Sequence, residues 1–160
     1  MTSDLKIGFG VDYHQIQKGN SMILGGIKID CGYSILAHSD GDIILHSICD
    51  ALLGAASMGD LGTVFKEDDS TENISSSALL NQVLNLLSKE SYQIVNLDIT
   101  YVGEVPRISN YREEILSNLS KLMNLNEKFL SVKSTTTDKL GAIGKREGIA
   151  CYCSALIQKK

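Results

Sequence analysis

Apolar residues recur along this chain with two periods, and the change from one to the other marks its elements. Within Ala37 to Asp60, AHSDGDIILHSICDALLGAASMGD, the apolar residues Ile43, Ile44, Ile48, Leu52 and Leu53 fall at helical spacing. Asp42, His46 and Asp50 follow four apart and share another face of the same helix. Ser39 or Asp40 can cap its start, and Gly54 and Gly59 lie near its end. Leu79, Leu80, Val83, Leu86 and Leu87 predict a second helix over Ser75 to Lys89, and Ile115, Leu119 and Leu122 a third over Tyr111 to Met123.

Alternation takes over elsewhere. Leu5 to Tyr13 reads as a strand, and Met22 to Cys31 as an extended pair broken at Gly25-Gly26, expected to lie as an antiparallel edge beside it. Ser91 to Glu104, Phe129 to Thr136 and Gly148 to Gln158 supply further strands, and Asp60 to Asn73 is a polar, acid-rich connection. Helices and strands alternate only loosely. The expectation is an α+β fold, a mainly antiparallel four-stranded sheet with helices on one face. Ile149, Cys151, Cys153 and Ala155 make one face of the last strand apolar, so the uncovered side of the sheet is expected to meet other copies.

Composition narrows the class. A length of 160 residues, 43% hydrophobic and 21% charged, suits one globular domain spanning 1–160, and a single proline with no linker or repeat does not divide it. A formal net charge of -4 and a pI near 5.3 argue against nucleic acid or an anionic membrane as the main partner. No apolar run reaches the roughly 20 residues of a spanning helix. The start MTSDLKIGFG lacks the form of a signal peptide, so a cytoplasmic location is expected. Cys31, Cys49, Cys151 and Cys153 form no C-x-x-C pair and read as reduced structural thiols.

The chemistry-bearing residues come from distant parts of the chain. Asp12 and His14 stand two apart in a strand and so point the same way. With His46 they supply two nitrogens and one oxygen, the ligand set of catalytic zinc; on spacing alone His14 can equally be a solvated strand-end residue and His46 a satisfied core histidine. At the helix start, His38 and Ser39 are placed to meet a phosphate through free N–H groups and the positive dipole end. Ser134 to Lys139, STTTDK, offers hydroxyls and backbone N–H groups to phosphate oxygens, with Asp138 able to hold a hard cation; Thr137 can equally serve only to cap the next turn. Gly103 to Arg107 is a turn stiffened by Pro106, able to present backbone groups to a base or merely to reverse the chain.

Together these blocks resemble the 2-C-methyl-D-erythritol 2,4-cyclodiphosphate synthase family nearly end to end. The marks are Gly10-Val11-Asp12-Tyr13-His14, the Gly25-Gly26 turn, AHSDGD from Ala37, Leu45-His46, DALLGAA from Asp50, GDLG from Gly59, TTTDKLG from Thr135, and EGIAC from Glu147. The resemblance implies a homotrimer assembled through its sheets, with active sites at subunit interfaces. It implies an intramolecular step of the non-mevalonate isoprenoid pathway, in which a cytidine diphosphate-linked substrate cyclises and releases CMP. Asp12, His14 and His46 would bind zinc, and Asp138, where the family commonly has glutamate, magnesium or manganese. His38 and Thr136 would stabilise the transition state.

The substrate would be held by Asp12, Tyr13, His14, His38 and Ser39, by Asp60, Leu61 and Gly62, and by the loop Phe65, Lys66, Glu67, Asp68 and Asp69. The neighbouring subunit would add Gly103, Glu104, Val105, Pro106 and Arg107, with Ser134, Thr135, Thr136, Thr137 and Asp138. Ala142 and Lys145 join this set at positions where the family commonly carries phenylalanine and arginine, bordering the trimer's axial cavity. A zinc hydrolase on another fold and a non-catalytic trimeric binding module are the competing classes.

Overall fold

In the computed structural model, which describes residues 4–65 and 74–160, a long first strand and one buried helix set the frame. Strand β1 (Leu5–Lys18) pairs antiparallel with β4 (Tyr33–Ile35) on one side and with β7 (Gly148–Lys159) on the other. β7 pairs antiparallel with β5 (Tyr92–Val102), and β5 runs parallel to β6 (Leu130–Thr135). The main sheet therefore has five strands in the order β4-β1-β7-β5-β6 and mixed direction, which corrects the expected mainly antiparallel four-stranded sheet. A parallel neighbour arises because the chain between β5 and β6 returns through a helix rather than a tight turn.

The second correction concerns the glycine-turned pair. β2 (Ser21–Leu24) and β3 (Ile27–Asp30) form their own two-stranded sheet and do not edge β1. Gly25 and Gly26 take φ of 62° and 76°, as a two-residue hairpin turn requires, and their N–H groups donate to the two oxygens of Asp42 at 2.9 and 2.6 Å. The helix that Asp42 caps thus draws the hairpin away, and Tyr33–Ile35 takes the edge.

That helix, α1 (Ile43–Ala55), lies against β1 and β7 with Ile43, Ile44, Ile48, Leu52 and Leu53 all fully buried. Each such side chain is worth roughly 1.5–3 kcal/mol in transferred area. Its close approach depends on two glycines of β1. A Cβ on Gly8 would collide with the Ala51 carbonyl oxygen, and one on Gly10 with that of Ser47. After the short α2 (Leu61–Val64), α3 (Ser76–Lys89) packs on α1 and β5, burying Leu80, Val83 and Leu87. α4 (Arg112–Met123) buries Ile115, Leu119 and Met123 beside β6, and the four-residue α5 (Gly141–Gly144) precedes β7.

Ile149, Cys151, Cys153 and Ala155, expected on the open side, are at most 1% exposed in the core with α1. The open face belongs instead to the odd residues of β1: Ile7 is 79% exposed, Phe9 63% and Tyr13 60%. Tyr152 of β7 joins them, stacked on Phe9 and in hydroxyl contact with Tyr13. The four cysteines are free thiols. Among the described residues no helix is long and apolar enough to cross a membrane.

Candidate metal centre and substrate cleft

The even residues of β1 face α1, so Asp12 and His14 enter the space that Gly8 and Gly10 open for the helix. His46 comes down from the first turn of α1 to meet them. Its Nδ1 lies 3.1 Å from Asp12 Oδ2, and His14 Nδ1 stands 3.1 Å from the same oxygen. One ligand atom from each of the three lies within 4.8 Å of the others, the one group of this kind among the described residues.

This donor set fits a cation. His14 Nδ1 is buried and, despite its nearness to Asp12, makes no hydrogen bond. Leaving such a group unsatisfied costs about 1–3 kcal/mol, which a metal ligated by that nitrogen would remove. Two imidazoles and a carboxylate match zinc in type and number, with a fourth position for a ligand. Burial raises the Asp12 carboxyl, but the two imidazoles of His14 and His46 beside it outweigh that and hold the group below its ordinary range. Burial likewise lowers His46, and its bond to Asp12 more than reverses that. Each favours the charged form of the other.

The other acids of the helix do not join them. Asp42, neither Ser39 nor Asp40, is the N-cap: its carboxylate is fully buried and accepts from Ile44 and Leu45 as well as the hairpin glycines. Burial pushes it up to about 6, against the pull of those N–H bonds. The helix N-terminus is therefore already held by a carboxylate and is not the free anion site expected at His38 and Ser39. Those two lie in the preceding loop, His38 exposed and Ser39 Oγ accepting from Gly41 N–H at 3.2 Å. Asp50 accepts from Leu61 N–H at 2.8 Å and so tethers α2, where Asp60 caps Leu61–Val64 through Thr63. Leu61, Gly62 and Phe65 are thus placed on or beside α2; Lys66, Glu67, Asp68 and Asp69 lie outside the described residues.

A cleft of about 340 Å³ lies at the ends of β5 and β6, lined by Gly103, Glu104, Pro106 and Arg107 opposite Ser134, Thr135 and Thr136. Tyr101 does not line the cleft but anchors the turn that does. Its buried hydroxyl donates to the Val105 carbonyl at 2.6 Å, and Gly103 has no Cβ to strike the ring. Gly103 N–H donates to Thr135 at 3.0 Å and Lys139 N–H to Glu104 at 3.3 Å, tying the two sides together.

Thr137 donates its hydroxyl to Leu140 at 2.7 Å, as a turn-closing residue does, and Asp138 is exposed with φ 52°. Ala142 and Lys145 are exposed on and just after α5. Arg146, Ile108 and Ser109 also line the cleft and were not singled out by the motifs. Arg146 adopts φ 63°, backbone that favours glycine. None of Asp12, His14 and His46 lines this cleft.

An α+β chain that gathers two imidazoles and a carboxylate under one helix, and keeps a separate cleft of hydroxyls and guanidinium groups, has the make-up of a metal-dependent enzyme. The chain belongs to the YgbB family, which it matches over residues 5–158. It is 43% identical over 158 residues to a 2-C-methyl-D-erythritol 2,4-cyclodiphosphate synthase of Leptospira interrogans, covering 97% of this chain and 98% of that one. A synthase of the same name from Desulfatibacillum aliphaticivorans is 41% identical over 96% of this chain and 100% of its own. Among solved structures, IspF of Plasmodium falciparum in its CDP complex aligns at TM-score 0.88 and 39% identity, covering 100% of this chain and 99% of that one. The bifunctional IspDF of Campylobacter jejuni aligns at TM-score 0.94 and 32% identity over 99% of this chain and 43% of its own.

Proposed function

We propose that this chain converts 4-diphosphocytidyl-2-C-methyl-D-erythritol 2-phosphate to 2-C-methyl-D-erythritol 2,4-cyclodiphosphate and CMP, a step of the non-mevalonate isoprenoid pathway carried out in the cytoplasm. The convergence of Asp12, His14 and His46 in a chain 43% identical to a synthase of that name carries the reading. An oxygen of the 2-phosphate attacks the β-phosphorus. The bond from that phosphorus to the oxygen bridging it to the α-phosphorus breaks, and CMP leaves with that oxygen. No protein nucleophile is needed, so catalysis rests on alignment and on offsetting charge.

Asp12, His14 and His46 would hold zinc, which would supply Lewis-acid polarisation of a substrate phosphate oxygen. Asp138 would hold magnesium or manganese. Its exposed carboxylate is free to do so. His38 and Ser39, exposed or half-exposed in the loop before α1, contact phosphate from one side. Thr136 donates from the other, and with His38 it provides hydrogen bonds where charge develops. Asp60, Leu61, Gly62 and the loop from Phe65 enclose the methylerythritol. The cleft from Gly103 to Arg107 and Ser134 to Thr137 takes the cytidine diphosphate part, in keeping with its two guanidinium groups against one carboxylate.

The active form is a homotrimer in which one subunit's triad faces its neighbour's cleft. Two observations support this: the triad and the cleft share no lining residue, and β1 exposes Ile7, Phe9 and Tyr13 in a row. A patch of that kind on an isolated chain calls for a protein surface to cover it. Phosphorus NMR with the cytidine-linked 2-phosphate substrate, zinc and magnesium tests the reading. Cyclic diphosphate and CMP should appear together and vanish on chelation. Release of inorganic phosphate instead would favour a zinc hydrolase.

A further inference from the structure

His46 is engaged at both ring nitrogens. While Nδ1 faces Asp12, Nε2 lies 2.9 Å from Ser76 Oγ. Ser76 is the first residue of α3, 30 positions along the chain from His46, and is fully buried. Capping of α3 does not explain it, because Ser75 fills that role by accepting from Ala78 N–H at 3.2 Å. Both polar groups of Ser76 go instead to Asp40. The N–H donates to Oδ2 at 2.9 Å, and Oγ contacts Oδ1.

The donors along this relay can be counted. A carboxylate only accepts, and a serine hydroxyl has one proton. That proton goes to Asp40, so Ser76 Oγ meets His46 as an acceptor, and the His46 Nε2 carries the hydrogen. In the neutral imidazole, the form that ligates a metal, the lone pair is then on Nδ1, the nitrogen turned toward Asp12 and His14. We propose that Asp40 and Ser76 are positioning residues which hold His46 in its Nε2–H form and thereby present Nδ1 as a metal ligand. The inference rests on the reading of Asp12, His14 and His46 as the metal site. A ligating imidazole whose far N–H is held by a carboxylate-backed acceptor has its ring fixed and its basicity raised, and loss of such a partner typically costs 10- to 100-fold in metal affinity.

Asp40→Asn gives the sharper variant because it keeps the shape while it removes the charge and reverses one donor. The introduced amide has one acceptor and one donor group to set against three donors, Ser76 N–H at Oδ2 and, at Oδ1, the Ser76 hydroxyl with Asp42 N–H at 3.3 Å. The backbone bond from Ser76, at 2.9 Å the shorter of the two fixed ones, keeps the amide oxygen, and the amide NH2 faces Oγ. The hydroxyl proton then swings to His46 Nε2 and favours the tautomer with hydrogen on Nδ1, which cannot ligate.

The experiment is zinc titration of the full chain against a chromophoric chelator, with the His46 ring followed by proton–nitrogen NMR in the zinc-loaded protein. Wild type should bind zinc and show a slowly exchanging Nε2–H. Ser76→Ala should bind 10- to 100-fold more weakly and lose that protection. Asp40→Asn should bind more weakly than Ser76→Ala, although it is the closer match in shape. Variants that bind as tightly as wild type, with the His46 resonance unmoved, overturn the relay while leaving the metal site in place. A wild type that takes up no zinc overturns the metal reading beneath it.

Discussion

The metal triad and the cleft are built by opposite means. Asp12, His14 and His46 stand on β1 and α1, two elements locked together where Gly8 and Gly10 admit the helix backbone. The cleft is made of strand ends and turns, and the side chains it offers for binding, Arg107, Ser134, Thr135, Thr136 and Arg146, are all exposed. A metal demands ligand positions good to a fraction of an ångström, which regular elements supply. A nucleotide needs adaptable polar groups around a volume, which turns supply. On the proposed reading each chain carries a finished half-site and a receptive one, and the second would be completed by what docks against it.

His46→Ala breaks the finished half most completely. Cyclisation should fall more than 1000-fold, about 4 kcal/mol of transition-state stabilisation, and zinc uptake should be lost. The fold should persist, because the buried face of α1 does not include His46. A variant with unchanged turnover would remove the triad from the mechanism. Gly10→Ala attacks the same half through its frame. The added methyl meets the Ser47 carbonyl, a backbone atom that cannot step aside, so unfolding free energy should drop by more than about 3 kcal/mol, with zinc affinity falling in parallel. Loss of stability with zinc affinity intact would show that the helix re-seats without disturbing the ligands.

Asp42 tests how far burial governs this half. Its folded-state carboxyl is raised to about 6, against about 3.9 unfolded. Below about pH 4 the proton is bound in both states. Between about 4 and 6 only the unfolded chain releases it, so stability falls as pH rises, by about 3 kcal/mol, and levels off above 6. Urea unfolding of wild type and Asp42→Asn across that window isolates the effect, since Asn does not titrate. The stability difference between them should shift against wild type on going from pH 4 to 6.5. A flat difference would mean that the four N–H bonds at Asp42, rather than burial, set its protonation.

Legibility followed the same division. The triad was readable because period-two and period-four spacing fix which residues share a face, and His46, Asp12 and His14 keep those periods. The helices were readable from their stripes to within a few residues at α3 and α4. The N-cap was misplaced because three candidates, Ser39, Asp40 and Asp42, stand in one tetrad, and what selects among them is tertiary: the hairpin glycines bond to Asp42 and Ser76 bonds to Asp40. Strand order was unreadable for a similar reason. Alternation specifies two faces of a strand but not its neighbour, so neither the β4 edge nor the parallel β5–β6 pair was visible. In the last strand, alternation found the apolar face but not which side of the sheet α1 would cover.

Thr136→Ala probes the receptive half, and its expected effect is the smallest. Thr136 is exposed and its hydroxyl accepts from Asp138 N–H at 3.3 Å, so stability should change by no more than about 0.5 kcal/mol and zinc affinity not at all. Cyclisation should fall about 100-fold, as when one donor to developing charge is removed. The two halves can then be set against each other. If each active site combines one chain's triad with a neighbour's cleft, random assembly of equal His46→Ala and Thr136→Ala chains regenerates an intact site in about one quarter of cases, the probability that a good triad meets a good cleft. Co-refolded mixtures should therefore regain about 25% of wild-type cyclisation, well above either parent. If triad and cleft act within one chain, no intact site forms, and the mixture stays below the Thr136→Ala protein alone.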